Sequence, residues 1–136
     1  MTKKINNYGK YAGKVWQTLD SCGPQTQNKI IKKTKLDEND FWTAIGWLAK
    51  ENKILKTGNK FHLGETNLDK KIGKNAGKIW DTLNQIGYVD EPYLPKLSGV
   101  PNKDAYAAIG WLAREGKINI KRTKPKKPQT KYGLKK

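Results

Sequence analysis

The chain has 136 residues, with 28 Lys or Arg against 12 Asp or Glu and a formal net charge of +16. Self-repulsion on that scale points to a polyanionic partner, most often nucleic acid. The single cysteine, Cys22, rules out an intrachain disulfide framework, and no apolar run approaches the roughly 18 residues of a membrane span.

Residues 1–7 are polar and are expected to fray; basic residues there precede no apolar stretch, so they do not read as a signal peptide. A cytoplasmic, nucleoid location fits these features and the cysteine usage. From Tyr8 to about Cys22 the apolar positions Tyr8, Tyr11, Ala12, Val15, Trp16, Leu19 and Cys22 mark one face of a helix, which Gly23-Pro24 stops. A second helix is predicted over about 26–34, with Ile30 and Ile31 inward. Asp37 can cap a third helix, whose inward stripe is Phe41, Ala44, Ile45 and Leu48 and which ends near Glu51-Asn52. The period then changes. Lys53–Lys56 and Lys60–Leu63 read as two short strands about the turn Thr57-Gly58-Asn59. Residues 64–69 link this unit to a second one.

The second unit follows the same plan. Residues 9–56 aligned without a gap on 73–120 give 20 identities in 48 positions, an offset of 64. Its first helix is predicted over about 73–86, with Ala76, Ile79, Trp80, Leu83 and Ile86 inward. Pro92 and Pro95 fall in the second helix, which should be short or distorted. A third helix opens at Pro101 and runs to about Glu115. Lys117–Ile120 is the first strand. Lys131-Tyr132-Gly133-Leu134 matches Lys60-Phe61-His62-Leu63 at an offset of 71, so this hairpin loop is seven residues longer. The expected class is α+β, mainly α, with two domains, 1–66 and 67–136, each of three helices plus a β-hairpin.

Two motifs recur: Ala12-Gly13-Lys14-Val15-Trp16 as Ala76-Gly77-Lys78-Ile79-Trp80, and Ala44-Ile45-Gly46-Trp47-Leu48-Ala49-Lys50-Glu51 as Ala108-Ile109-Gly110-Trp111-Leu112-Ala113-Arg114-Glu115. On these residues the chain resembles a bacterial and archaeal winged helix-turn-helix family of unknown function, over nearly all of each copy. The resemblance implies two tandem winged helices, DNA binding, modules that self-associate, and no enzymatic activity. The prolines of the second copy's second helix and its long hairpin loop depart from the family pattern.

In a winged helix the third helix is the one offered to the major groove. If Ile45 and Leu48 are buried, the opposite face shows Asn39, Thr43, Gly46 and Lys50, and in the second copy Lys103, Ala107, Gly110 and Arg114. Thr43, Lys50, Lys103 and Arg114 are therefore candidate nucleic-acid contacts. Asp37, Glu38 and Asp40 suit the helix dipole but would repel phosphate. Gly46 and Gly110 suggest a close approach, by the first helix or a tryptophan ring. Trp16 and Trp80 read as core, and Trp47 and Trp111 as closing the helix against the hairpin. Trp42 and Tyr106 are either an interface, between the copies or with a second molecule, or partly buried in their own modules.

The second hairpin carries the strongest signal. Lys121, Arg122, Lys124, Lys126, Lys127 and Lys131 surround Pro125 and Pro128, and residues 117–136 contain no acid. Such a loop suits phosphate contact or a minor groove. Lys53, Lys56 and Lys60 form a smaller version in the first copy. His62 and Cys22 stand alone, and Cys22 reads as a small buried hydrophobe. No nucleophile–base pair, paired carboxylates, phosphate loop or zinc spacing is present in the sequence, so no enzyme, metal, cofactor or small-molecule ligand is expected. Two Arg against 26 Lys favours general phosphate attraction over guanine reading. The expected function is weakly sequence-specific binding of duplex DNA, in a nucleoid-associated, chromatin-like or regulatory role. A protein-interaction scaffold, or RNA binding by the basic loop, is the alternative.

Overall fold

The computed structural model describes residues 4–122 and 130–135. The first copy consists of α1 (Lys4–Cys22), β1 (Gln25–Thr26), α2 (Gln27–Thr34), α3 (Glu38–Lys50), β2 (Ile54–Thr57) and β3 (Lys60–Leu63). The second consists of α4 (Asp69–Ile86), β4 (Val89–Asp90), a 3-10 turn at Glu91–Tyr93, α5 (Leu94–Ser98), α6 (Asn102–Arg114), β5 (Ile118–Arg122) and β6 (Thr130–Leu134). Local chemistry sets several of these limits. Thr26 Oγ1 accepts the Lys29 amide at 3.4 Å and opens α2; Asp37 Oδ1 accepts the Asp40 amide at 2.8 Å and opens α3. Pro92 and Pro95 occupy first-turn positions of two short pieces, so the second copy has no helix the length of α2. Among the described residues no helix is long and apolar enough to cross a membrane.

Each hairpin is part of a three-stranded antiparallel sheet, ordered β1-β3-β2 and β4-β6-β5. The two-residue strands β1 and β4 are too short to show alternation in sequence. Their register supports the offset of 71: Gln25 faces Phe61, and Val89 faces Tyr132. The linker is pinned as well. The Asn67 side chain accepts the Lys56 amide at 2.9 Å and donates to the Lys56 carbonyl at 2.7 Å, covering the open edge of β2.

The two copies pack against each other through α3 and α6, which meet at their glycines. A methyl group at Gly46 would overlap the Ala107 carbonyl, and one at Gly110 would overlap the Thr43 carbonyl. Residues 43 and 46 correspond to 107 and 110, so the contact is self-complementary, like that of a two-fold dimer. The glycines thus admit the other copy's backbone, not the first helix or an indole. The first helices begin earlier than the sequence suggested because their opening turns are also shared. Tyr8 of α1 lies in the second copy's core, and Ile72 of α4 lies in the first copy's core. The Tyr8 and Tyr132 hydroxyls share a buried hydrogen bond of 2.8 Å.

Some residues expected inside are outside. Trp16 and Trp80 are each 37% exposed, Ile86 is 53% exposed, and Cys22 is exposed. The buried stripe of α1 runs through Ala12, Val15 and Leu19, which leaves Trp16 on its margin and Cys22 beyond it.

Candidate nucleic-acid interface

The face of the third helix that the sequence offers to a groove is the seam between the copies. Thr43 is buried, and its hydroxyl donates to the Asn39 carbonyl at 2.9 Å, so it does not reach a ligand in this arrangement. Lys50 Nζ lies 3.3 Å from Glu115 Oε2 and 5.0 Å from the centre of the Trp111 ring. Arg114 Nε donates to Glu51 Oε2 at 2.9 Å, and its guanidinium lies 5.8 Å from the Trp47 ring. These are the same arrangement twice, related by the offset of 64. Lys53 and Lys117 complete it, 3.6 Å from Glu51 and 3.5 Å from Glu115. The small residues read as solvent-facing are a helix-contact surface, because Gly, Ala and Thr let two backbones approach closely. Lys50, Arg114 and Lys53 keep outward exposure, but their charges are partly compensated.

Trp42 is partly buried and packs against the cores of both copies, which places it at the interface between them. Its counterpart Tyr106 is only 6% exposed and donates to Glu91 Oε2 at 2.6 Å. Burial, reinforced by that carboxylate, pushes the Tyr106 phenol well above its ordinary range.

A cluster of donors lies beside Trp42. Thr26, Gln27, Asn28, Lys56, Asn59 and Lys103 surround a pocket of about 300 Å³, together with the rings of Trp42 and Phe61. Lys103 Nζ is 5.5 Å from the Trp42 ring, and Lys56 Nζ is 5.9 Å from the Phe61 ring. Among the described residues no carboxylate lines the pocket. Lys60 is exposed on the adjoining strand, where it pairs with Thr26. The second copy differs at the matching positions. Glu91 stands for Gln27 and takes the Tyr106 hydroxyl, while Asp90 stands for Thr26 and lies 3.6 Å from Lys131. The second copy thus supplies its own anion at these positions, where the first has the neutral Thr26 and Gln27.

In the second hairpin, Lys121 Nζ lies 4.2 Å from the Tyr88 ring, and the Arg122 backbone pairs with Thr130. Lys124, Lys126 and Lys127 lie outside the described residues. Lys29, Lys32, Lys33 and Lys35, not among the candidates above, are all exposed on or just after α2. Their signal was the run Lys32-Lys33-Thr34-Lys35 at the helix end, where cations also suit the helix dipole.

Three helices followed by a hairpin, twice over, is the architecture of a winged helix-turn-helix protein, a class that in general binds DNA. The chain belongs to the family described as "Winged helix-turn-helix domain (DUF2582)", whose model matches residues 1–62 and again 68–128. No curated protein and no solved structure matches the chain.

Proposed function

We propose that the protein binds duplex DNA through backbone phosphates with little sequence preference, as a nucleoid-associated or chromatin-like protein. The proposed contacts are the hairpin side of the first copy, through Lys56 and Lys60, with Lys103 of α6 beside them, and the basic loop of the second copy, through Lys121, Arg122, Lys124, Lys126, Lys127 and Lys131. Insertion of α3 or α6 into a major groove is not part of the reading, because each covers the other. The observation that carries it is the donor pocket without a carboxylate in a chain of net charge +16. An anion there gains two ammonium groups in a lining that holds no carboxylate among the described residues.

The test is a binding series with random-sequence duplex at rising salt. Affinity should fall by about 0.9 log units per neutralised phosphate per decade of salt. Replacing Lys56 and Lys103 by Gln should lower that slope by about 1 per lysine and weaken all duplex sequences alike. Absence of duplex binding at about 50 mM salt, where the phosphate contribution is strong, would overturn the reading. The exposed Tyr93, Leu97 and Ile86 of the second copy (59%, 52% and 53%) favour a protein-interaction scaffold as the second reading. Under it, duplex binding is absent and replacing these three residues abolishes capture of a protein partner.

A further inference from the structure

We infer that the cleft between α1 and the end of α3 binds unpaired nucleotides, with a weaker twin in the second copy; the choice of nucleic acid as partner rests on the function proposed above. The first cleft holds about 830 Å³ and is lined by Gly9, Lys10, Gly13, Trp16, Trp47 and Lys53, among others. The Trp47 indole lies on α1 at Gly9, where an added methyl group would be 3.2 Å from it. One turn further along, a methyl group at Gly13 would meet no neighbouring atom within 4 Å. Gly13 therefore meets no packing partner from elsewhere among the described residues, although a mid-helix glycine weakens its helix. It leaves open the floor between two indoles, and Trp16 is 37% exposed beside it.

The second cleft repeats this. Trp111 lies on Gly73 at 3.5 Å, a methyl group at Gly77 would again meet nothing, and Trp80 is 37% exposed. The copies have diverged at 28 of the 48 aligned positions (48 less 20 identities), yet both keep the open glycine between two tryptophans.

The exposed Trp16 indole offers a surface for stacking a planar ring, while Trp47, set between Gly9 and the Arg114 guanidinium, walls the cleft. Lys10, Lys14 and Lys53 border the first cleft, and its one acid, Glu51, is held by Arg114 and Lys53. A flat π-system on an anionic tether fits that surface, and a single strand supplies it base by base. Paired bases in a duplex do not present their faces. The second cleft is smaller, about 420 Å³, and has Asp81 where the first has Gln17, so its affinity is the lower.

The experiment measures fluorescence anisotropy of the full chain with a labelled thymidine oligonucleotide, the matching duplex, and an acidic peptide containing tyrosine. Trp16→Ala should weaken single-strand binding at least about fivefold, the lower bound for one stacked base, and change duplex binding less than twofold. Gly13→Leu, which grows into the open cleft, should do the same without lowering the melting temperature, and Trp80→Ala should have the smaller effect. If the parent binds single strand and both first-cleft variants bind it as well as the parent, the inference is wrong. It is equally wrong if the variants lose only the peptide. Failure of duplex binding alone, with Trp16-dependent single-strand binding kept, would overturn the proposed function and leave the cleft assignment standing; a parent that binds neither strand form overturns both.

Discussion

Tyr8, Tyr106 and Tyr132 carry phenols that water scarcely reaches, and burial pushes all three well above their ordinary pKa. In the unfolded chain they ionise near pH 10. Because the folded pKa is raised, their contribution to stability is complete below pH 10 and is lost as pH rises beyond it. Each phenol can cost up to about 1.4 kcal/mol per pH unit in that range. The melting temperature should therefore be flat with respect to these groups from pH 7 to 9 and drop above 10. A Tyr8→Phe/Tyr132→Phe variant should lose part of that drop in thermal scans from pH 8 to 11. The sequence marked Tyr8 as apolar-facing, but a helical stripe does not say which core receives it. Tyr8 lies in the opposite copy's core because α1 and α4 each reach across the pseudo-two-fold axis.

The element that decides the architecture is the α3–α6 crossing. An alanine favours an isolated helix over glycine by about 1 kcal/mol, so Gly46→Ala would be stabilising if the helix stood alone. Here the methyl group overlaps the Ala107 carbonyl. The expected outcome is a loss of roughly 1–3 kcal/mol, read by chemical denaturation, with Gly110→Ala behaving alike. The long helices, the caps and the hairpins were legible because 3.6-residue spacing, Asp37 and Gly58 act over a few residues. The two-residue strands β1 and β4 were not, since their pairing is made with chain more than thirty residues away. The third-helix face was misread for a related reason. A row of Gly, Ala and Thr looks solvent-facing until a second such row lies against it, and composition alone does not supply that second row. Trp16 and Trp80 were misplaced because the periodicity that includes Val15 also brushes the neighbouring tryptophan.

At the scale of the whole molecule, the repeat behaves as a dimer whose subunits share one chain. A dimer of separate chains melts at a temperature that rises with its concentration; this one should melt at the same temperature across a hundredfold range of concentration in calorimetry. The repeat itself was plain in the sequence, and so was the excess charge. Where the charge acts was less plain, because Lys50 and Arg114 are drawn into the seam while α2 and the residue that caps it show four lysines to solvent. The lysine-bearing α2 has, as its counterpart in the other copy, a short helix that carries exposed Leu97 and follows exposed Tyr93. A dimer of identical subunits sits on a duplex the same way in either direction. This chain shows lysines on the second helix of one copy and exposed Tyr93 and Leu97 at the matching segment of the other, so its two copies do not offer a partner identical surfaces.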